Sequence, residues 1–352
     1  MSSCLFRCLF VLLLLLSAAG GAAEPFRTTE FGGEEYVALK DLWRWYGFSP
    51  RKGRAGCVAY GAGNRTVSVM PRRQDFYVNS YRYILSFPVQ ELAGQLYISS
   101  VDVHKLVDPV LRPKFSTSAG SLRTVVLDPG HGGHDAGATS PYAREKDCNL
   151  AVAKRLRAKL LKLGFKVVMT RDGDYFLTLQ QRVAIANKTP DSIFVSIHHN
   201  SGRSGAEGIE TFTLAPHGTT GPFARTRRTE ELSGNNQDSE NIALATAVHS
   251  RAIKATKAVD RGIQRARFSV LCTIVRPAIL FEGGFVSNPE EGRRISSAAY
   301  QELLAEALAQ GIVSYSCIVC RKRPGALNAP PPGKGRLRTS APGSHLPSLR
   351  KS

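Results

Sequence analysis

Three short segments place imidazole and carboxylate side chains where a reaction could use them. The first is Leu127-Asp-Pro-Gly-His-Gly-Gly133, the second Ser196-Ile-His-His-Asn-Ser201, and the third Leu280-Phe-Glu-Gly-Gly-Phe285. A further carboxylate, Glu145, stands just before a basic helical stretch. Two imidazoles and a carboxylate form a common catalytic zinc set that leaves one position for water, and a second carboxylate can then act as general base. Zinc suits such chemistry because it lowers the pKa of its water to roughly 7 and polarises a carbonyl. The patterns GxGxxG, GxxxxGK[ST] and HExxH are absent from the sequence. A nucleotide loop and a zincin-type helix are therefore not the expectation.

Those residues need elements that bring them together. Residues 122 to 316 alternate strand and helix patterns, which predicts a mostly parallel α/β sheet flanked by helices. Strands are expected at Thr124–Leu127, Phe165–Met169, Ser192–Ile197, Gly208–Leu214 and Ala278–Phe281, and helices at Asn149–Leu163, Leu179–Asn187, Ser239–Lys257 and Ser296–Ser314. Three of these strands end in the three segments. Ligands of open α/β sheets bind at the carboxyl edge, so His131, His198 and Glu282 should meet there. Glu145, preceding the helix that follows the first strand, should return to the same edge.

At these residues the chain resembles the zinc-dependent N-acetylmuramoyl-L-alanine amidases of the Amidase_3 family. The likeness rests on Leu127–Gly133, Arg144–Asp147 with Asn149–Ala153, Ser196–Ser201 and Leu280–Glu290, with support from Asp260–Ile263 and Phe268–Leu271. It implies hydrolysis of the amide between N-acetylmuramic acid and L-alanine of the peptidoglycan stem peptide. It also implies His131, Glu145 and His198 as ligands of Zn2+ and Glu282 as the catalytic carboxylate. His134, His199, Asn200 and Asn288 are near enough in sequence to serve as supporting or substrate-contacting groups. Cys272 stands where the family often has a basic residue. Two other classes compete: a non-catalytic wall-binding or activator protein of the same fold, and a zinc peptidase acting on stem peptides.

The remaining sequence sets the surroundings. Residues 1–23 read as a signal peptide, with Arg7 before the apolar run Leu9–Leu16 and small residues after it. Export makes nucleic acid an unexpected partner and points to a periplasmic or extracellular wall location. No further stretch reads as an integral membrane segment of the mature chain. Residues 24–115 read as a smaller α+β domain of wall-binding role, resembling the copper amine oxidase N-terminal-like stalk domain. It carries a faint repeat in which Tyr36, Val37 and Asp41 match Tyr97, Ile98 and Asp102. Its aromatics, Trp43, Trp45, Tyr46, Tyr81 and Tyr83, are expected in its core more than on a sugar-stacking surface. Residues 116–121 read as a linker, 122–317 as the catalytic domain, and 321–352 as a disordered basic tail.

The net charge of the 352 residues is +19, from 47 Lys+Arg and 28 Asp+Glu. The tail holds eight Lys/Arg and no acid, and Arg7 adds one more, which leaves +10 for residues 24–320. Such a balance suits an anionic partner, here a wall polymer. Five cysteines follow the signal, an odd number that is no disulfide framework. Cys317 and Cys320 are the one close pair. Some relatives carry a regulatory element over the site that an activator protein displaces. Pro216–Asp238 shows no amphipathic blocking helix, so strong autoinhibition is not expected.

Overall fold

The structure is a computed structural model and describes residues 26–113, 122–221 and 230–321. The signal peptide, the linker 116–121 and the tail beyond residue 321 lie outside the described residues, as does part of the Pro216–Asp238 stretch.

The N-terminal unit is built of two sheets and short helices. β1 (Thr28–Phe31) and β2 (Glu34–Ala38) lead into helix α1 (Leu39–Trp45). The meander β3 (Ser49–Arg51), β4 (Val58–Ala62), β5 (Arg65–Val69), β6 (Asp75–Val78) and β7 (Tyr81–Ile84) follows. β8 (Gln90–Leu92) and β9 (Gln95–Ser99) run into α2 (Ser100–Asp102), a π-helical turn Val103–Val107, and α3 (Asp108–Leu111). The two halves of the faint repeat are both strand-to-helix units. Their strands β2 and β9 pair antiparallel, with Val37 opposite Ile98. Trp43 and Tyr83 are core residues, each 1% exposed, whereas Trp45 is 45% exposed and carries the Arg112 guanidinium 3.8 Å above its ring.

The catalytic unit begins with β10 (Thr124–Pro129) and α4 (Glu145–Lys162). Then come β11 (Lys166–Met169), α5 (Leu179–Lys188), β12 (Ser192–Asn200), β13 (Ile209–Leu214) and α6 (Asp238–Thr256). β14 (Asp260–Ala266), α7 (Ser269–Cys272), β15 (Ala278–Phe285), α8 (Pro289–Ser296) and α9 (Ala298–Arg321) complete it. Strands β11, β10, β12 and β15 are parallel neighbours, as the sequence pattern predicts. β13 is antiparallel to β15, so the sheet is mixed. The expected closing helix, Ser296–Ser314, is α9, and the unpredicted helix α8 precedes it across the extended residue Ser297.

Alternation along the strands decides which helices cover which face. Val125, Leu127, Val195, Ile197, Ile279 and Phe281 join the core under α4, α6 and α9. Their neighbours Val126, Phe194, Phe212 and Leu280 point the other way, toward α5 and α7. α9 is long and apolar enough to cross a membrane by length and composition, and half of it is buried within the protein.

The units are not beads on a string. β14 pairs in parallel with β7, Ile263 beside Tyr83, so one sheet runs through eleven strands in the order β11-β10-β12-β15-β13-β14-β7-β6-β5-β4-β3. Asp260 accepts a hydrogen bond from the Arg82 amide at 3.0 Å, and the Tyr83 hydroxyl meets Thr246 on α6 at 3.2 Å. Lys105 pairs with buried Asp238 at 3.1 Å, and the buried Arg265 guanidinium donates to the Lys105 carbonyl. β14 would otherwise leave its backbone groups unpaired at a sheet edge.

Candidate metal and catalytic site

β10 ends in Asp128-Pro-Gly, and the chain then turns through His131 in the left-handed region, at φ 62°. A non-glycine residue there is uncommon and costs energy, so other groups must hold it. Two buried arginines do so. Arg182 donates to the carbonyls of Pro129 (2.8 Å) and His131 (2.7 Å), while Arg171 donates to those of Pro129 (2.9 Å) and Gly130 (2.8 Å). Asp128, 1% exposed, balances Arg182 at 2.8 Å and accepts from the Thr170 and Ser196 hydroxyls. Gly130 is required by space: a Cβ there would lie 2.1 Å from the His198 ring.

Within this frame His131, Glu145 and His198 each offer a ligand atom, and these atoms all lie within 4.8 Å of one another. Glu145 opens α4, and its Oε1 stands 3.2 Å from His131 Nε2 and 2.8 Å from His198 Nδ1. Its Oε2 accepts from the Ala138 amide at 2.8 Å. Gly137, at φ 64°, passes so close that a Cβ would sit 2.6 Å from Glu145 Oε2. Burial would raise the Glu145 carboxyl, but hydrogen bonds and charge from His131 and His198 outweigh it and hold the carboxyl far below the usual range. For His131, burial disfavours the charged ring, yet Glu145 and Asp135 together raise its pKa. Asp135 Oδ2 lies 2.8 Å from His131 Nδ1, which orients the ring with Nε2 toward Glu145. A carboxylate behind an imidazole is the usual support of a metal-bound histidine.

Glu282 stands beside His198 across the β12–β15 ladder and is 8% exposed. Its Oε2 is buried and has no hydrogen-bond partner among the described residues. Burial, with the neighbouring carboxylates Glu145 and Glu210, raises its pKa well above the ordinary value. Three convergent ligand atoms, a supported imidazole and an unpartnered carboxylate on the same edge fit a divalent cation with a bound water. A cleft of about 390 Å³ opens at His131 and His198, walled by Phe176, Leu177, Leu179 and Val270.

The other residues singled out in the sequence serve varied ends. His199 is fully buried. The Asn149 amide nitrogen donates to the Gly130 carbonyl at 3.2 Å, so its oxygen faces His199 Nδ1, 2.8 Å away, as acceptor. Nδ1 therefore carries the proton, and His199 Nε2 is buried without a partner among the described residues. Burial pushes the His199 pKa down to about 4. Asn200 donates to Glu210 at 2.7 Å, and Arg261 reaches the other Glu210 oxygen at 2.5 Å. His134 is exposed on the rim, its ring 4.2 Å from that of Phe176. Asn288 caps α8, accepting from the amides of Glu290 and Glu291. The Cys272 thiol reaches the Phe268 carbonyl at 3.4 Å, and Cys317 is exposed, while the Cys320 side chain lies outside the described residues. Sequence reasoning missed Asp135, Asn149, Arg171, Arg182, Glu210 and Arg261. Asp135 and Asn149 each stand four residues after a candidate ligand, and Asn149 also opens one of the segments that resemble the family.

A family model described as N-acetylmuramoyl-L-alanine amidase, Amidase_3, matches residues 125–314. The chain belongs to this family. It is 34% identical over 230 residues to N-acetylmuramoyl-L-alanine amidase AmiA of Escherichia coli, covering 58% of this chain and 79% of that one. It is 35% identical over 242 residues to AmiC of Escherichia coli, covering 61% of this chain and 58% of that protein. Among solved structures, the amidase AmiC2 of Nostoc punctiforme is 36% identical, with a TM-score of 0.47, and covers 56% of this chain and 98% of that one. The family match lies wholly within the catalytic unit.

Proposed function

We propose that the protein is an exported, zinc-dependent N-acetylmuramoyl-L-alanine amidase that cleaves the amide between N-acetylmuramic acid and L-alanine in peptidoglycan, for wall remodelling or cell separation. The observation that carries this reading is the cluster His131, Glu145 and His198 with buried, unpartnered Glu282 beside it. His131 and His198, as neutral imidazoles, and Glu145, as carboxylate, would hold Zn2+. When bound, zinc would polarise the scissile carbonyl and acidify a water molecule. The chain's own groups do the rest. Asp135 and the Arg171–Arg182 frame keep His131 in place, and the cleft beside Phe176 and Leu179 receives the substrate. Glu282 Oε2 takes a proton from the attacking water. As the water oxygen bonds to the lactyl carbonyl carbon and the C–N bond breaks, Glu282 returns that proton to the leaving nitrogen. A carboxyl raised by burial is suited to both accepting and donating near neutral pH.

Residues 1–23 act as the export signal in this reading, and the tail 321–352 tethers the enzyme electrostatically to an anionic wall. The N-terminal unit, through residue 115, is a wall-contacting domain, whether or not an activator protein assists. The experiment is digestion of purified sacculi with and without a chelator, followed by mass analysis. An amidase releases free peptides beginning with L-alanine and leaves peptide-free glycan. Shortened peptides still attached to glycan would indicate a peptidase instead. Sacculi that are bound but left intact would indicate a non-catalytic wall protein.

A further inference from the structure

The sheet that joins the two units carries one cross-strand row from the reacting groups to the far edge of the N-terminal unit. His198 lies beside Glu282, Glu282 beside Glu210, and Glu210 beside Gly262. A Cβ on Gly262 would meet Arg82 Cγ at 3.2 Å, so Arg82 continues the row on the same face. Arg82 pairs with Tyr77, Tyr77 with Ser68, Ser68 with Ala59, and Ala59 with Arg51. The row crosses eight strand gaps, about 38 Å at about 4.8 Å per gap.

The two faces of this N-terminal sheet differ. Val67, Val69, Phe76 and Tyr83 point inward and pack with Trp43 of α1 in the core. On the opposite face Ser68, Tyr77 and Arg82 are half-buried, Ala59 is buried and Arg51 is exposed. That face is a continuation of the catalytic face. Its far end is basic. Arg51, Lys52 and Arg54 are exposed and have no acidic partner among the described residues, and Arg54 lies 4.5 Å above the Tyr77 ring. Like charges gathered without counter-charge suit an anionic ligand.

We propose that this row is the floor of an extended substrate surface. It holds an uncleaved stretch of the same peptidoglycan strand, with the carboxylates of a neighbouring stem peptide against Arg51, Lys52 and Arg54. The inference rests on the amidase reading above and deepens it: the enzyme prefers polymer to released fragments, and the N-terminal unit supplies the preference.

The test compares the mature chain with R51E/K52E/R54E and with a control reversal of equal charge on α4, K154E/R157E/K162E. Each is assayed on sacculi and on a soluble single-stem muropeptide, and its co-sedimentation with sacculi is measured. The N-terminal reversal should lower sacculus binding and kcat/KM on sacculi by about tenfold at low salt, with the deficit fading as salt rises. Its rate on the muropeptide should not change. The milder R51Q/K52Q/R54Q should shift sacculus binding in the same direction by less. Unchanged binding to sacculi, an equal loss in the α4 control, or a parallel loss on both substrates would overturn the proposal. If the unaltered chain cleaves neither substrate, the amidase reading fails. Weaker co-sedimentation of the N-terminal reversal alone would then still support the surface.

Discussion

Replacing Asn149 by alanine should loosen both the fold and the ligand set, and the size of the effect follows from the hydrogen bonds this side chain makes. Asn149 is fully buried at the start of α4, one turn after Glu145. Its oxygen is the partner of His199 Nδ1 at 2.8 Å, and its nitrogen reaches the Gly130 carbonyl at 3.2 Å and Glu145 Oε1 at 3.4 Å. The Gly130 carbonyl keeps a second donor in Arg171, so its loss is small. His199 fares worse. With Nε2 already unpartnered, the variant leaves both ring nitrogens without a partner in the interior. Orphaning a buried donor costs about 1–3 kcal/mol. The small void adds on the order of 1 kcal/mol, for a total near 3 kcal/mol. In a unit of this size that lowers Tm by roughly 6–12 °C. Because Asn149 also steadies Glu145, zinc affinity should fall about 10–100-fold, as it does when supporting groups are removed from metal sites. Calorimetry and zinc titration read the two effects separately. A double-mutant cycle with His199→Phe should give a coupling above about 0.5 kcal/mol. A Tm within about 2 °C of the parent, with no coupling to His199, would refute the reasoning.

Other consequences are equally specific. His199, with a folded pKa of about 4 against an ordinary 6.5, stays neutral in the fold, so below pH 6.5 the unfolded chain takes up a proton that the folded chain refuses. That stability is complete above the unfolded value and is lost as pH falls toward 4, by about 3 kcal/mol. Urea midpoints should show a flatter acid limb in His199→Gln than in the parent. Gly130→Ala, which forces a Cβ to 2.1 Å from the His198 ring, should abolish stoichiometric zinc binding in a titration while far-UV dichroism remains native-like. Tyr83→Ala removes a side chain 1% exposed at the junction of the units. It should cost about 3–5 kcal/mol, and calorimetry should show the whole described sheet melting earlier in one transition rather than the N-terminal unit alone.

Much of the catalytic unit is legible in the sequence because its signals are local. Thr124–Leu127 and Ser192–Ile197 are apolar runs bounded by polar residues, and the chemistry stands directly at their ends. Glu145 is legible as a ligand only through the family resemblance. The apolar periodicity of α4 starts at Asn149, and Glu145 sits in the turn before it. Arg171 and Arg182 belong to no motif, because a sequence shows the charge of a side chain and not the carbonyls that will surround it. Asn149 falls in a segment that resembles the family, but nothing in the sequence shows that its amide will meet His199. The continuous sheet is the least legible feature. Asp260-Arg-Gly-Ile-Gln-Arg-Ala266 holds a glycine and three charges, so it lacks the pattern of a strand. Its pairing with β7 depends on Tyr83, 180 residues earlier than Ile263 in the chain.

The central claim is that Glu282 moves the proton while His131, Glu145 and His198 hold the metal. Glu282→Gln keeps the shape of the side chain and removes its basicity. Zinc-loaded Glu282→Gln should bind zinc and sacculi like the parent, yet release peptides beginning with L-alanine about 10²–10⁴-fold more slowly. Release at the parent rate, from a variant with its zinc in place, would contradict the account.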